Sequence, residues 1–250
     1  MKPTHEKWMR RCVQSARRGK FSTSPNPMVG ACVVKAGRRV GEGYHRKFGG
    51  PHAETFALKN AGRRARGATL YVTLEPCASW GKTPPCAGAI AEAGIKKVII
   101  GSWDPNPKNR GRGAAFLKKA GIAVEVGVLK NDTDELIAPF RKWVTTRTPY
   151  VTLKMAQTLD GKIASVTGRS RWITSKPARN FVHELRAEHD AVLVGKNTLL
   201  RDNPLLSPRE YLKECQPGKP WRIILGSGSE RKYKHLRAFE GDQLTFVVVL

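Results

Sequence analysis

The chain has 250 residues, of which 40% are hydrophobic, and its 45 Lys and Arg against 20 Asp and Glu give a formal net charge of +25. This length allows one large domain or two modest ones with a substantial buried core. There is no stretch of about 18 apolar residues and no apolar centre near the N-terminus, so we expect neither a membrane span nor a secretory signal. Five scattered cysteines argue against a disulfide framework, so we expect reduced thiols and a cytoplasmic protein.

The positive charge is spread over segments such as "GRRARG" and "KNRGRG" rather than confined to one tail. Such a charge favours anionic partners, either phosphorylated metabolites or nucleic acid. Solvated protein surfaces are often basic as well, so the charge does not choose between these partners.

Up to about residue 144 the sequence alternates between strand and helix patterns. The strand patterns are "VGACVV", "ATLYVTL", "KKVIIG" and "IAVEVG", and the helix patterns are the segment from His52, "CAGAIAEAG", "GAAFLKKAG" and "DTDELIAPFRKW". This alternation predicts a three-layer α/β domain.

A second run of strand and helix patterns begins at "PYVTLKMA", which predicts a boundary near Thr148 and domains at residues 1–147 and 148–250. It continues with a helix pattern, "SKPARNFVHELRAEHD", and with "AVLVG", "WRIILG" and "LTFVVVL", which we interpret as buried strands. Because the sequence stops on an apolar strand that expects a neighbour, we expect this second domain to be incomplete.

The stretch "GGPHAETFALKNAG" places His52 and Glu54 two positions apart at the start of a predicted helix. One interpretation is ordinary helix chemistry, because Pro51 suits a first turn and an acid complements the positive end of the helix dipole. The other is a metal site, in which an H-x-E pair supplies a zinc ligand and a carboxylate that moves protons without binding the metal. The pair alone does not decide between them.

Two cysteines downstream favour the metal site. In "TLYVTLEPCASWGKTPPCAGAI" a strand leads to Cys77, and a loop returns to Cys86 at the head of another helix, whose N-terminus lowers the pKa of nearby thiols. With His52 they make three ligands and leave a fourth tetrahedral position for water, as in catalytic zinc sites. The alternative is two buried structural cysteines and a surface histidine. The pattern is that of zinc deaminases, although eight residues separate the cysteines here instead of the usual pair.

The stretches "SPNPMVGACVV", "GEGYHRKFGGPHAE", "YVTLEPCASWGKTPPC" and "DPNPKNRGRGAAFLKKAGI" resemble the deaminase domain of the bifunctional riboflavin-biosynthesis deaminase-reductase family. The longer cysteine loop is a mark of that family. The resemblance implies a cytidine-deaminase-like fold and hydrolytic deamination of a diaminopyrimidinone that carries a ribosylamine phosphate. It also implies that His52, Cys77 and Cys86 hold zinc and that Glu54 carries the proton.

The same resemblance implies five substrate-binding positions in this domain, Asn26, His45, Lys82, Asp104 and Asn106. An amide can read the edge of a pyrimidinone, while Lys82 and His45 can supply positive charge to a phosphate. Each position has an ordinary alternative, because Lys82 and His45 suit an exposed surface and Asn or Asp suits a turn. Ser79, Asn109 and Arg110 depart from the family pattern, which bears on substrate binding and leaves the metal ligands unchanged.

From "PYVTLKMAQTLDG" to "LLRDNPLLSPR" the chain resembles the start of the reductase domain of this family, a dihydrofolate-reductase-like α/β fold that uses NADPH to reduce the ribose to ribityl. The resemblance places Ala156, Trp172, Thr198, Asp202 and Ser227 along the cofactor and Ser170, Arg186, Leu206 and Arg209 near the substrate. Lys154 and Asp160 are expected to shape the pocket between the cofactor and the substrate. The family's glycine-rich C-terminal portion has no counterpart here, so the resemblance predicts a truncated domain.

Three hypotheses remain. The first is a zinc-dependent deaminase of riboflavin biosynthesis, a homo-oligomer acting on a phosphorylated pyrimidine, with an incomplete NADPH-dependent reductase half. The second is a nucleic-acid deaminase or a basic nucleic-acid-binding protein, motivated by the charge of +25. The third is a non-catalytic scaffold that keeps zinc for stability. The cysteine spacing and the resemblance of the second domain favour the first.

Overall fold

The structure is a computed structural model that describes residues 3–80, 85–215, 219–227, 231 and 233–249. The chain forms two compact units, Met1–Val151 and Thr152–Leu250. The division between them falls within four residues of the boundary that the sequence predicts.

The first unit combines helices and strands in alternation. Its helices are α1 (Pro3–Ala16), α2 (Ala53–Ala61), α3 (Cys86–Glu92), α4 (Arg112–Lys119), α5 (Lys130–Leu136) and α6 (Ala138–Thr146), and its strands are β1 (Gly30–Lys35), β2 (Arg38–Tyr44), β3 (Thr69–Leu74), β4 (Lys97–Ser102) and β5 (Ala123–Val126). Every strand pattern predicted for this unit corresponds to an observed strand, and every helix pattern corresponds to one observed helix or, in one case, to two.

The five strands form one sheet in the order β2-β1-β3-β4-β5. Strand β1 is antiparallel to β2 and to β3, whereas β3, β4 and β5 are parallel. Alternate residues of the central strands face opposite sides, so that Leu70 and Val72 join the larger core cluster and Tyr71 joins the smaller one on the α1 side. Helices therefore cover both faces, and the predicted three-layer arrangement is observed.

Two elements of this unit escape the sequence analysis. Helix α1 carries two arginines and a lysine, yet Met9, Cys12, Val13 and Ala16 are buried at the spacing of one helical face. Strand β2, "RRVGEGY", contains glycines because α2 packs directly on it, and a Cβ at Gly43 would lie 2.5 Å or less from atoms of that helix.

One predicted helix, "DTDELIAPFRKW", is in fact two. Helix α5 ends at Leu136 and α6 begins at Ala138, with Ile137 between them at φ −104° and ψ 7°. Pro139 explains the break, because proline lacks the backbone N–H of a helix interior and is suited to a first turn.

The described residues of the second unit form two α-helices, α7 (Lys176–Glu188) and α8 (Lys196–Asp202), and three strands, β6 (Ala191–Gly195), β7 (Trp221–Leu225) and β8 (Thr245–Val248). The strands form a parallel sheet in the order β6-β7-β8. Ser175 begins α7 by accepting a hydrogen bond from the backbone N–H of Ala178. The predicted helix and the three predicted strands at these positions are observed.

Two expectations for this unit are wrong. The segment "PYVTLKMA" is not a strand, because residues 147–175 form neither helix nor strand, and Val151 and Leu153 are 79% and 83% exposed. The three strands are also not buried on both faces. Leu193 and Phe246 are exposed on the face opposite the core cluster that contains Leu199 and Ile224. An apolar strand pattern needs a neighbouring strand or helix to bury it, and the described residues supply none here.

No helix among the described residues has the length and apolar composition needed to cross a membrane.

Candidate metal centre and active site

Three predicted metal ligands meet where β3 ends. His52 is the residue before α2, with extended backbone angles, and Cys86 is the first residue of α3. Cys77 lies in the loop after β3, where its carbonyl accepts a hydrogen bond from the backbone N–H of Ala87 in α3. The sheet thus directs two helix N-termini towards one point, where their dipoles favour negatively charged ligand atoms.

The three ligand atoms have the spacing of a tetrahedral zinc site. The Nδ1 atom of His52 lies 3.2 Å from Sγ of Cys86 and 3.6 Å from Sγ of Cys77, and all three atoms lie within 4.8 Å of one another. Zinc bonds of about 2.3 Å to sulfur and about 2.0 Å to nitrogen at tetrahedral angles put these atoms about 3.5 Å apart. The donor set and its spacing therefore fit zinc.

The electrostatics of the cluster favour thiolate. Hydrogen bonds from the thiol of Cys86, from His52 and from the backbone N–H of Cys86 lower the pKa of Cys77 to about 4. The hydrogen bond to Cys77 and the charge of nearby Glu54 raise the pKa of His52. A negative sulfur in this position is ready to bind a cation.

Glu54 lies beside this cluster without belonging to it. Its residue is 4% exposed, it occupies the first turn of α2, and its carboxyl group hydrogen-bonds the thiol of Cys86. Burial raises the pKa of Glu54. Among the described residues, the candidate metal cluster consists of His52, Cys77 and Cys86 alone. A buried carboxylate next to a metal cluster but outside it suits proton transfer.

Asn26 and His45 are brought together by the antiparallel pairing of β1 and β2. The Nδ1 atom of His45 lies 3.0 Å from the carbonyl of Pro51, so it carries the proton, and Nε2 accepts a hydrogen bond from Nδ2 of Asn26 at 3.1 Å. Burial lowers the pKa of His45, and its ring stands edge-on to that of His52. This environment favours a neutral His45 that orients the Asn26 amide, rather than the positive charge that sequence analysis assigned to it.

Asp104 and Asn106 follow β4, the parallel neighbour of β3, and so lie at the same sheet edge as Cys77. Burial raises the pKa of Asp104, while the backbone N–H of Asn106 and the side chain of Asn109 donate to its carboxylate. The structure thus brings together the metal ligands, Glu54, Asn26, His45, Asp104 and Asn106. Lys82 lies outside the described residues.

Glu75 is a residue whose role the sequence analysis missed. Its buried carboxylate accepts hydrogen bonds from the backbone N–H groups of Asp104, Gly111 and Ala114, at 3.2, 3.0 and 3.1 Å. It therefore ties the end of β3 to the loop after β4 and to the first turn of α4. An acid directly after a buried strand, in "LEPC", was the available signal.

Replacing Gly113 by Ala is expected to destabilise the first unit by about 2 to 3 kcal/mol. A Cβ at Gly113 would lie 1.9 Å from the carbonyl oxygen of Pro76, which precedes Cys77. Either α4 or the loop after β3 must therefore shift. Gly88→Ala in α3 is the matched control, because nothing lies within 4 Å of its Cβ position, and we expect it to be neutral or slightly stabilising. Calorimetric melting of both variants measures this difference, and equal melting temperatures would contradict it.

In the second unit three of the four predicted substrate residues, Arg186, Leu206 and Arg209, lie on neighbouring segments, whereas Ser170 lies in the segment that forms neither helix nor strand. His183 of α7 contacts the carbonyl of Ser207 at 3.2 Å, which brings Leu206 and Arg209 close to Arg186. Burial and the positive charge of Arg209 lower the pKa of Arg186. Leu206 and Arg209 have φ angles of +56° and +53°. Residues other than glycine rarely adopt this left-handed backbone conformation, and such residues cluster at functional sites. Two neighbouring guanidinium groups suit a phosphate.

The predicted cofactor residues are only partly brought together. Arg171, next to the exposed Trp172, donates to the carbonyl of Asp202, and Lys196 at the start of α8 donates to the hydroxyl of Ser227 at 2.9 Å. Thr198 is exposed in the same helix. Ala156 and Ser170, with Lys154 and Asp160, lie in the segment that forms neither helix nor strand. No pattern in the sequence marks Lys196.

Two family models match this chain. Residues 2–102 match the zinc-binding region of cytidine and deoxycytidylate deaminases, and residues 149–249 match the RibD C-terminal domain. These matches confirm the predicted fold class, a cytidine-deaminase-like unit followed by a dihydrofolate-reductase-like unit. They also bear out zinc and NADPH as the cofactors of the two types of domain.

Curated relatives match both units. The riboflavin biosynthesis protein RibD of Aquifex aeolicus is 52% identical over 218 residues, which cover 87% of this chain and 60% of that protein. RibD of Escherichia coli is 47% identical over 231 residues, covering 89% of this chain and 63% of that protein. The chain thus spans about 60% of the length of these relatives.

Solved structures show the same likeness. A diaminohydroxyphosphoribosylaminopyrimidine deaminase/5-amino-6-(5-phosphoribosylamino)uracil reductase from Thermotoga maritima has a TM-score of 0.90 and 46% identity, over 98% of this chain and 70% of that one. RibD of Acinetobacter baumannii has a TM-score of 0.83 and 37% identity, over 98% and 74% of the two chains. The combination of both domains in these proteins does not favour the nucleic-acid alternative.

Proposed function

This chain belongs to the RibD family of riboflavin biosynthesis proteins, and we propose that its first unit hydrolytically deaminates a diaminopyrimidinone carrying a ribosylamine phosphate. The observation that carries this proposal is the cluster of His52, Cys77 and Cys86 with the buried carboxylate of Glu54 beside it. These three residues are the proposed zinc ligands. Zinc, when bound, supplies Lewis-acid activation of water at neutral pH.

Glu54 is the proposed proton carrier. In the reaction a water oxygen attacks the amino-bearing ring carbon, a carbon–oxygen bond forms, the carbon–nitrogen bond breaks and ammonia leaves. The Glu54 carboxylate takes a proton from the attacking water and delivers it to the leaving amine, and the second water proton ends on the neighbouring ring nitrogen as the carbonyl of the product forms. Its burial supports this role, because a raised pKa brings a carboxylate closer to the working pH of a general acid and base.

Asn26, His45, Asp104 and Asn106 are the proposed substrate-binding residues, together with Lys82 by its place in the family motif. The proposal rests on the positions of the first four around the metal cluster. His45 holds Nδ2 of Asn26, so the amide presents its oxygen and second N–H to a ligand. Asp104 presents a carboxylate, an acceptor for the N–H groups of an aminopyrimidine.

The deaminase proposal is tested with the purified zinc-loaded chain and the diaminopyrimidinone ribosylamine phosphate. We expect ammonia release that stops when a chelator removes zinc and returns when zinc is added back. Magnesium in place of zinc is the matched control and should not restore activity. Deamination of tRNA with no ammonia release from the small molecule would overturn the proposal in favour of the nucleic-acid hypothesis.

For the second unit we propose the NADPH-dependent reduction of the ribosyl group to ribityl. The neighbouring guanidinium groups of Arg186 and Arg209 support a phosphate site for the deaminated product. Ser170 and Leu206 are proposed substrate residues by their places in the family motif. Trp172, Thr198, Asp202 and Ser227, together with Ala156, are the proposed cofactor residues. The test supplies NADPH and follows its absorbance at about 340 nm. We expect this absorbance to fall as the deaminated product is reduced.

The variant that tests the proposed phosphate site is Arg186→Met, which removes one guanidinium group and keeps an apolar side chain of similar length. We expect it to raise KM for the deaminated product about tenfold, the effect of one charge-assisted hydrogen bond. An unchanged deaminase rate is expected in the same variant. Unaltered reduction by Arg186→Met would contradict the proposed phosphate site.

We also propose that the protein works in the cytoplasm as a homo-oligomer. All five cysteines are free thiols, which supports a reducing compartment. The exposed Leu193, Trp221 and Phe246 on one face of the second sheet support self-association. Sedimentation of the purified chain tests the oligomer, and fractionation of expressing cells tests the compartment.

A further inference from the structure

Asn109 is a buried amide whose two ends contact different parts of the proposed active site. Its residue is 5% exposed. Its Oδ1 accepts a hydrogen bond from the backbone N–H of Ala78 at 3.0 Å, and its Nδ2 donates to Oδ2 of Asp104 at 2.8 Å. A backbone N–H can only donate and a carboxylate oxygen can only accept, so these partners fix the orientation of the amide.

The position of Asn109 links two loops that the proposed reaction uses. Ala78 directly follows Cys77, a proposed metal ligand, and Asp104 is a proposed substrate residue. The carboxylate of Asp104 is held at both oxygens, because the backbone N–H of Asn106 donates to Oδ1 and Asn109 donates to Oδ2. The rotation of the carboxylate about its χ angles is therefore set jointly by these two donors.

The backbone of the same loop has a separate support. Glu75 accepts from the backbone N–H groups of Asp104, Gly111 and Ala114, and none of these bonds involves Asn109. Loss of the Asn109 side chain should therefore leave the path of the loop in place while releasing the carboxylate of Asp104 and the N–H of Ala78. An apolar side chain of similar size can make neither hydrogen bond.

We infer that Asn109 is a positioning residue that orients the Asp104 carboxylate towards the substrate and holds the loop after Cys77 at a fixed distance from it. This inference rests on the proposed deaminase function. It assigns a role to a residue that stood out in the sequence only as a departure from the family pattern. The predicted consequence is a loss of substrate affinity with zinc retained.

The variants that test the inference are Asn109→Leu, which removes both hydrogen bonds at nearly constant volume, and Asn109→Asp, which keeps the acceptor for Ala78 and sets a carboxylate against Asp104. We expect Asn109→Leu to raise KM for ammonia release about tenfold and to change kcat less than about threefold, with zinc still bound. We expect a larger KM increase for Asn109→Asp, because like charges repel. Asn131→Leu, at an exposed asparagine of α5, is the matched control and should leave KM unchanged.

A double-mutant cycle separates positioning from general loosening of the fold. If Asn109 acts through Asp104, then Asn109→Leu in an Asp104→Ala background changes KM less than about twofold further. The same tenfold increase in both backgrounds, or an unchanged KM in the single variant, overturns the inference. Loss of zinc from Asn109→Leu also overturns it, because the effect would then lie in the metal site.

Amide hydrogen exchange gives a readout that does not depend on activity. We expect Asn109→Leu to speed exchange at Ala78 and to leave Ala114, held by Glu75, unchanged. Faster exchange at both sites, or at neither, overturns the inference. If the wild-type chain releases no ammonia, the proposed function fails, whereas the exchange pattern still decides whether Asn109 holds these two loops.

Discussion

Replacing Glu54 by Gln is expected to lower kcat for ammonia release about a thousandfold while zinc remains bound. Gln has the size and shape of Glu and can still hydrogen-bond Cys86, but its amide cannot take a proton from water and pass it to the leaving amine. Metal content should be preserved, because Glu54 lies outside the cluster of His52, Cys77 and Cys86. The measurement is kcat for ammonia release together with zinc content.

Glu92→Gln, at the exposed last residue of α3, is the matched control for this prediction. It makes the same chemical change in the same unit, at the end of α3 away from Cys86, so we expect wild-type kcat. A Glu54→Gln protein with full activity would support the third hypothesis, in which zinc serves stability alone. Loss of zinc together with activity would instead make Glu54 a ligand or a structural support of the cluster.

The candidate metal ligands were accessible from the sequence because each of them is marked by a local pattern. The H-x-E pair begins an amphipathic helix, and each cysteine follows a proline at the end of a strand or the start of a helix. Parallel β3 and β4 then place the following loops at one edge of the sheet, which is a general property of such strands. The positions of Cys77, Cys86 and Asp104 need little more than that rule.

The polar network around these residues was not accessible in the same way. The contact between Asn26 and His45 depends on the β1–β2 pairing, and β2 was not predicted because its glycines serve the packing of α2. The contacts of Glu75 with the loop after β4 and with α4, and the contact of Asn109 with Ala78, join residues 29 to 39 positions apart, so no periodicity or motif reports them. Hydrogen bonds between loops follow from tertiary structure, and a single sequence gives only the residue types.

The second unit shows a different limit. The apolar alternation of "PYVTLKMA" predicts a strand, but a strand forms only where a neighbour pairs with its backbone and covers its side chains. Val151 and Leu153 are residue types that suit a buried strand, but they are exposed because no described strand or helix covers them. Local pattern therefore described β6, β7 and β8 correctly as strands while misjudging how much of each is buried.

Replacing Cys86 by Ser is expected to remove zinc from the first unit, to less than about a tenth of an ion per chain, and to abolish ammonia release. A serine hydroxyl is a poor zinc ligand at neutral pH, and the Cys86 sulfur lies 3.2 Å from Nδ1 of His52 at the centre of the cluster. The variant also loses the thiol that hydrogen-bonds both Cys77 and Glu54. Zinc content and kcat measure this effect.

The same variant tests whether metal binding stabilises the fold. A ligand present at a hundred times its Kd stabilises the folded state by about 2.7 kcal/mol, so zinc should raise the melting temperature of the wild-type chain. Cys86→Ser should show no such response, whereas Cys215→Ser, which removes a thiol of the second unit, should respond as the wild type does. Because His52 precedes α2 and Cys86 begins α3, zinc held between them would fasten two helix N-termini to the end of β3. A zinc-dependent melting temperature in Cys86→Ser would place the metal elsewhere and would contradict the assignment of this cluster.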